Sequence, residues 1–201
     1  MIAVIDYDAG NIMSVIKAVE ALGHETVLTS DAEEILSAQK VILPGVGAFG
    51  DCMGRLEERG LPEVIRQVVQ RGTPFMGICL GLQLIFDESE ESPGVKGLSL
   101  LRGRVKKLPT DRGLKVPNIG WSPLSFPRES RLFKGVRDGA FCYFVHSYYL
   151  EAEDVSCVSA VIDYGTRVHA AVEHDNIFGC QFHPEKSSAV GLGILKNFLE
   201  L

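Results

Sequence analysis

Cys79 stands where one apolar run passes into another. We expect a strand to enter from residues 74–76 and an amphipathic helix to continue through residues 84–86, which would put Cys79 on the sharp turn of a nucleophile elbow. Gly77 and Gly81 would let the backbone pass closely on either side of the turn. A helix N-terminus behind the sulfur favours the thiolate, the nucleophilic form of cysteine. A buried structural cysteine would fit the same residues.

His183 and Glu185 are the residue types that a cysteine nucleophile requires, namely a base and a carboxylate that orients it. Both follow a predicted strand at residues 177–182. In extended chain, residues i and i+2 point the same way, so Glu185 would hold one ring nitrogen while the other faces Cys79. Pro184 between them suits a stiff strand exit. An isolated His-x-Glu is more typical of a loop, but its pairing with an elbow favours catalysis.

Acyl transfer by Cys79 also needs N–H donors directed at the oxyanion. The N–H of Leu80 is the first candidate, because this residue directly follows the cysteine. The glycine-rich loop at residues 44–50 offers a second donor at Val46, since flanking glycines allow backbone orientations closed to other residues. The same loop could cradle a phosphate instead, although no Lys-Ser/Thr pair follows it as in a P-loop.

The elements that would position these groups change character along the chain. The first half alternates strands with helices, including a helix whose capping box runs from Ser30 to Glu33. The second half is rich in strands with short connections, predicted at residues 104–108, 122–126, 141–148, 155–162, 167–173 and 177–182. We therefore expect an α/β fold with a mostly parallel open sheet, flanked by helices, and an attached antiparallel strand section.

Composition favours one domain spanning residues 1–201, with 46% apolar and 23% charged residues. The net charge of −6 argues against nucleic-acid or anionic-membrane partners. No basic leader and no apolar run of membrane-spanning length is present in the sequence. The five cysteines form no CxxC pair, which indicates a reducing cytoplasm rather than a disulfide framework or a zinc site. No metal and no cofactor is predicted.

Residues 77–83 together with residues 182–185 resemble the class I, or triad, glutamine amidotransferases. Further segments resemble the glutaminase subunits of imidazole glycerol phosphate synthases within that family, namely residues 6–12, 44–49, 116–121, 143–148 and 183–187. The resemblance covers nearly the whole chain. The chain departs from the usual family residues at Asp8, Leu82, Asn118 and Ser122, none of which belongs to the triad.

This resemblance implies that Cys79, His183 and Glu185 hydrolyse glutamine through a glutamyl thioester. The oxyanion would be held by the N–H of Leu80 and, after a peptide flip, by that of Val46. The implied substrate-binding residues are Gly47, Gln83, Ser147 and Tyr148. For the last two, ordinary strand packing is the alternative.

The resemblance also implies a partner, a (β/α)8-barrel cyclase subunit that uses the ammonia for histidine biosynthesis, and low glutaminase activity without it. The candidate docking residues are Asn11, Asn118, Trp121 and Lys186. Trp121 could instead belong to the core, and Asn11 could be a helix N-cap.

Three other functions stay open. The chain could be the glutaminase component of another biosynthetic complex, such as anthranilate synthase, which should lack the segments at residues 116–121 and 143–148 together. It could be a free-standing cysteine hydrolase acting on γ-glutamyl compounds without any partner. It could also be a catalytically silent regulatory subunit, because a fold does not guarantee an activity.

Overall fold

The first half of the chain alternates strands and helices. The computed structural model describes residues 1–8, 12–111 and 113–201. Its elements up to the elbow are β1 (Ile2–Ile5), α1 (Ile12–Ala21), β2 (Thr26–Thr29), α2 (Ala32–Ser37), β3 (Lys40–Gly45), α3 (Phe49–Glu58), α4 (Leu61–Gln70), β4 (Phe75–Cys79) and α5 (Leu80–Leu84). Every residue of β1, β3 and β4 is buried, which is typical of strands covered on both faces.

The second half is dominated by strands. Its elements are β5 (Glu88–Ser89), β6 (Gly103–Lys107), β7 (Asn118–Pro123), β8 (Phe141–His146), β9 (Tyr148–Ala152), β10 (Val158–Asp163), β11 (Arg167–His174), β12 (Ile177–Cys180) and α6 (Ser188–Leu199). Short 3-10 turns lie at Val155–Cys157 and Pro184–Lys186. No helix among the described residues is long and apolar enough to cross a membrane.

Within the described residues, ten strands form one sheet in the order β2-β1-β3-β4-β12-β11-β9-β6-β5, with β10 paired to β11. The strands from β2 to β12 in that order run parallel. From β12 onward, β11, β9, β6 and β10 join through antiparallel pairs. The prediction of a mostly parallel sheet with an attached antiparallel section is therefore confirmed.

Two hydrophobic clusters cover the two faces of this sheet. Ile2 and Val4 of β1 point into a cluster that contains residues of α1 and α6. Ala3 and Ile5, the alternate residues, point into a second cluster with residues of α2, α3, α4 and α5. This alternation is what a period of two requires of a strand buried on both sides, and it places helices on both faces as expected.

The strands β7 and β8 form a separate two-stranded antiparallel sheet, which we call the β7–β8 ribbon. Its outer face carries Ile119, Trp121 and Phe141, which are 61%, 49% and 52% exposed. Its inner face carries Asn118 and His146, which are buried. The ribbon therefore presents an apolar surface outward while its polar side chains point into the protein.

Two strand predictions were wrong in extent. Residues 141–148 do not form one strand, because the chain changes sheets at Ser147: β8 pairs with β7, whereas β9 pairs with β6 and β11. The strand predicted at residues 122–126 begins at Asn118 instead. The extent of β7 is set by its hydrogen bonds to β8, and the apolar pattern of one segment does not show where such pairing begins.

Two local predictions also need correction. The N-cap of α2 is Asp31 and not Ser30, because the Asp31 carboxylate accepts hydrogen bonds from the N–H groups of Glu33 and Glu34. Residues 155–157 form a 3-10 turn rather than the start of a strand. Asp154 caps this turn by accepting a hydrogen bond from the Ser156 N–H.

Candidate active site

Cys79 lies on the turn between β4 and α5, at a positive φ of 55°. Few non-glycine residues adopt positive φ, so the tight turn is held by its surroundings. A Cβ on Gly81 would lie 1.9 Å from the Leu43 carbonyl oxygen, and one on Gly77 would lie 2.4 Å from the Gly81 carbonyl oxygen. The elbow therefore requires both glycines. The following helix is shorter than expected and is buried on all sides rather than amphipathic.

His183 and Glu185 meet through a hydrogen bond of 2.8 Å from Nδ1 of the ring to Oε1 of the carboxylate. Their side chains are only 4% and 1% exposed. The expected extended chain is absent, because residues 184–186 form a 3-10 turn that starts at Pro184. The predicted contact between His183 and Glu185 therefore exists. The two side chains meet because of the 3-10 turn, and not because alternate residues of a strand point the same way.

The charge of the His183 ring depends on its buried neighbours. Burial lowers the pKa of His183, but hydrogen bonding and charge interactions with Cys79 and Glu185 outweigh it and raise that pKa to about 9. Nε2, the ring nitrogen that Glu185 does not hold, is buried on the side of the ring that interacts with Cys79. An imidazolium beside Cys79 is the arrangement that activates a thiolate.

One side chain and one backbone carbonyl lie close to the Cys79 sulfur. Gln181 Nε2 lies 3.7 Å from Sγ, and the Val145 carbonyl oxygen on β8 lies 4.0 Å from it. Gln181 follows β12 directly and is fully buried. The sequence analysis did not identify Gln181. A polar glutamine directly after the apolar residues 177–180, and two residues before His183, could have indicated a side chain directed at the site.

The loop that leaves β3 lies beside the elbow, because Gly45 is the parallel register partner of Cys79. Two buried side chains hold this loop from behind. The Tyr7 hydroxyl donates to the Pro44 carbonyl at 2.6 Å, and the Cys52 thiol donates to the Val46 carbonyl at 3.5 Å. The peptide between these two carbonyls, Gly45–Val46, is the one whose rotation would present the N–H of Val46.

A cavity of about 380 Å³ opens at the elbow. It is lined by eight of the residues singled out from the sequence, namely Val46, Gly47, Cys79, Leu80, Gln83, Ser147, Tyr148 and His183. Glu91, Pro117, Val145 and His146 complete the lining and were not anticipated. Leu80 is the first residue of α5, so its N–H has no partner within the helix. Among the described residues, no group of three or more His, Cys, Asp and Glu side chains is placed to hold a metal ion.

A chain of buried hydrogen bonds runs from the cavity into the ribbon. Gln83 Nε2 donates to Gln181 Oε1 at 2.9 Å and to the Tyr148 carbonyl at 3.1 Å. His146 Nδ1 contacts the same carbonyl at 2.9 Å, and its Nε2 lies 3.2 Å from Asn118 Nδ2. Burial lowers the pKa of His146 to about 4, so this ring is neutral near pH 7.

Among the predicted docking residues that the structure describes, two are exposed and one is buried. Trp121 is half exposed on the outer face of the ribbon, so the alternative that it belongs to the core is wrong. Lys186 is exposed on the turn after Glu185. Asn118 is only 3% exposed and points inward, because its strand turns alternate residues to opposite faces, so its assignment to a docking face is corrected. Asn11 lies outside the described residues.

The fold and the buried Cys–His–Glu group are those of a triad amidotransferase. A family model described as "Glutamine amidotransferase class-I" matches residues 3–201, and the chain belongs to that family.

The curated relatives are more specific. The chain is 51% identical to "Imidazole glycerol phosphate synthase subunit HisH" of Moorella thermoacetica, over all of this chain and 94% of that one. It is 52% identical to the protein of the same name from Geobacillus kaustophilus, over 99% and 96% of the two chains. Among solved structures, "Structure of PurLQS from Thermotoga maritima" superposes with a TM-score of 0.77 at 20% identity, covering 99% of this chain and 97% of that chain, which shows the fold alone.

Proposed function

We propose that the chain is the glutaminase subunit of an imidazole glycerol phosphate synthase, hydrolysing glutamine and supplying ammonia to a cyclase subunit in histidine biosynthesis. Cys79 and His183 line one cavity and Glu185 bonds the His183 ring, and this arrangement supports the chemistry. Full-length relatives at about half identity support the pathway. These relatives do not favour a component of anthranilate synthase or a free-standing hydrolase, and the complete triad does not favour a silent subunit.

The first step is attack of the Cys79 thiolate on the carboxamide carbon of glutamine. The new C–S bond pushes the carbonyl electron pair onto oxygen, and the N–H of Leu80 faces that oxyanion together with the N–H of Val46 once the Gly45–Val46 peptide has turned. His183, whose pKa is raised to about 9, carries the proton that the thiol has lost.

In the second step the tetrahedral intermediate collapses and the C–N bond breaks. The leaving nitrogen takes the proton from Nε2 of His183 and departs as ammonia, which leaves a glutamyl thioester on Cys79. The neutral ring then removes a proton from water, which attacks the thioester and releases glutamate. Glu185 holds Nδ1–H of His183 throughout, which keeps Nε2 directed at the reaction.

Recognition of the substrate depends on the donors and acceptors in the cavity that are not already hydrogen-bonded within the protein. Both hydrogens of Gln83 Nε2 are already donated, to Gln181 Oε1 and to the Tyr148 carbonyl, so only Oε1 of Gln83 is available to a ligand. An acceptor there suits the α-ammonium group of glutamine. Gly47, Ser147 and Tyr148 line the same cavity and complete the proposed substrate site.

The outer face of the β7–β8 ribbon, together with Lys186, is the surface that we propose for a (β/α)8-barrel cyclase, in a heterodimer. Trp121 packs edge-on against Tyr143 with ring centroids 6.0 Å apart. The backbone of Tyr143 bonds the catalytic turn on both sides: its carbonyl accepts from the His183 N–H at 3.0 Å, and its N–H donates to Ser187 Oγ at 2.9 Å. A partner on this face would therefore contact strands that are bonded directly to the triad.

We also propose that residues 1–201 form one domain and that the protein works in the cytoplasm. The family match at residues 3–201 supports the first statement. The five cysteines, all free, support a reducing compartment.

The decisive experiment mixes the purified chain with the cyclase subunit of a relative's synthase and measures glutamine-dependent formation of imidazole glycerol phosphate, with ammonium as the alternative nitrogen source. We expect synthesis from both sources with the wild type, and from ammonium alone with Cys79→Ala. Cys142→Ala is the matched control, because Cys142 is buried outside the cavity and should keep glutamine-dependent synthesis. Undiminished glutamine use by Cys79→Ala would overturn the assignment.

A further inference from the structure

Gln181 occupies a position between the nucleophile and the substrate-binding side of the cavity. Its Nε2 lies 3.7 Å from Cys79 Sγ, and its Oε1 accepts a hydrogen bond of 2.9 Å from Gln83 Nε2. The side chain is fully buried. Its backbone N–H is fixed by the Ala170 carbonyl on β11 at 2.8 Å. Both ends of the carboxamide are thus used inside the active site.

We infer that Gln181 is a further catalytic residue, which donates a hydrogen bond to the Cys79 thiolate and at the same time fixes the orientation of Gln83. The inference rests on the proposed function, in which Cys79 is the nucleophile. A hydrogen bond from a neutral donor to an ionised acceptor is stronger than one between neutral groups, so this contact favours the thiolate over the thiol.

Gln181 and Gln83 form a series of hydrogen bonds between Cys79 and the Tyr148 carbonyl, and these two end groups fix the direction of every bond in it. A thiolate can only accept, so Gln181 must turn its N–H groups toward Cys79 and its Oε1 toward Gln83. The Tyr148 carbonyl at the other end can also only accept, so Gln83 must donate there as well. Neither carboxamide can flip without placing two acceptors against each other. The Tyr148 carbonyl and the Cys79 thiolate therefore require the same orientation of both carboxamides, in which Oε1 of Gln83 is directed toward the ligand.

The groups around the Cys79 sulfur differ in whether they stabilise the thiol or the thiolate, and Gln181 is one that stabilises the thiolate. In the thiol form, S–H can donate to the Val145 carbonyl at 4.0 Å, which stabilises the neutral state. Once the proton has left, that carbonyl faces an anion, and the groups that favour the anion are the His183 ring and the Gln181 N–H. Removal of the Gln181 donor should therefore shift the equilibrium toward the thiol while the His183–Glu185 pair stays in place.

The test measures the ionisation of Cys79 directly, in the isolated full-length chain. Iodoacetamide alkylation is followed between pH 5 and 10, and mass spectrometry of the peptide containing residue 79 separates this thiol from the other four. Gln181→Met removes the donor at similar side-chain size, and Gln181→Asn keeps a carboxamide that is one methylene too short to reach both partners. Gln70→Met, at an exposed position on α4, is the matched control.

We expect both Gln181 variants to move the midpoint of Cys79 alkylation upward by about one pH unit and to slow alkylation at pH 7 about tenfold. The control should match the wild type. Folded Gln181 variants that keep the wild-type midpoint would overturn the inference, and if one variant fails to fold the other decides. This result is separable from failure of the proposed function, which would appear as glutamine-dependent synthesis by Cys79→Ala.

Discussion

Asn118 Nδ2 lies 3.2 Å from Nε2 of His146, on the inner face of the β7–β8 ribbon. Because the Tyr148 carbonyl can only accept, Nδ1 of His146 carries the proton and Nε2 accepts from Asn118. The inward position of Asn118 and the neutral state of the His146 ring are therefore explained by the same pair of hydrogen bonds. The hydrogen bonds continue through Tyr148, Gln83 and Gln181 to Cys79, so one network joins the ribbon to this cysteine.

Replacing Asn118 with aspartate should raise the pKa of His146 from about 4 by one unit or more, because a carboxylate next to Nε2 favours the charged ring. NMR titration of the histidine ring nuclei measures this directly. His169 provides the control within the same spectrum, since its ring bonds the Ala152 N–H at a different place. An unchanged His146 pKa in Asn118→Asp would contradict the pairing.

Folding stability should fall as the pH rises from about 6.5 to about 9, because of His183. Its pKa is raised in the folded state, so the folded state binds more protons than the unfolded state in that window. The stabilisation is fully present below pH 6.5 and is lost as the pH passes 9. Urea unfolding at pH 6 and pH 9.5 should show a smaller difference for Glu185→Gln, which loses the charge that helps to hold the proton. Glu57→Gln, on the exposed face of α3, should behave like the wild type.

Alanine at Gly81 should prevent stable folding or cost more than about 4 kcal/mol, because its Cβ would collide with backbone and not with a movable side chain. Gly54→Ala is the matched control. Gly54 lies within α3 with nothing within 4 Å of the added carbon, so this change should stabilise the protein by about 0.5–1 kcal/mol. Thermal and urea unfolding of the two variants measure the contrast, and equal stabilities would show that the elbow tolerates a side chain.

Removal of the Tyr7 hydroxyl should affect both stability and catalysis. Tyr7→Phe leaves the buried Pro44 carbonyl without its donor, which should cost about 1–3 kcal/mol. It also releases one end of the loop that carries Val46, so kcat for glutamine should fall more than KM changes. Tyr164→Phe removes a similar bond of 2.7 Å to the Lys115 carbonyl at an exposed site, and it should change neither quantity appreciably. Equal effects of the two variants would argue against a role for the Tyr7 hydroxyl in the loop.

Trp121→Ala should weaken binding of the cyclase at least about 30-fold, since a half-exposed tryptophan in an apolar patch is typical of an interface hot spot. Isothermal titration calorimetry with the cyclase subunit measures the affinity. Val155→Ala truncates another exposed apolar side chain, on the 3-10 turn before β10, and should leave the affinity unchanged. A wild-type affinity for Trp121→Ala would place the interface elsewhere.

The parts of the site that are local in sequence could be predicted from the sequence. Cys79 ends β4, and the loop around Val46 leaves β3. The burial and order of both strands are readable from short apolar runs. Their meeting follows from the parallel register, because neighbouring parallel strands end at the same edge of a sheet.

The parts that depend on tertiary partners could not be predicted. Gln181 and Gln83 are 98 residues apart, and only packing shows that one carboxamide holds the other. Asn118 looked like a surface residue because the pairing of β7 with β8 decides which of its residues point inward. Glu185 reached His183 by a 3-10 turn, since a proline after the histidine favours a turn as readily as an extended exit.

The exposed apolar residues on the outer face of the ribbon, Ile119, Trp121 and Phe141, also affect the solubility of the isolated protein. A contiguous apolar surface left uncovered promotes self-association, so the free chain should be less soluble than its complex. Production together with the cyclase should raise the yield of soluble protein, and a polar substitution at one of these residues should improve the solubility of the isolated chain at the expense of assembly.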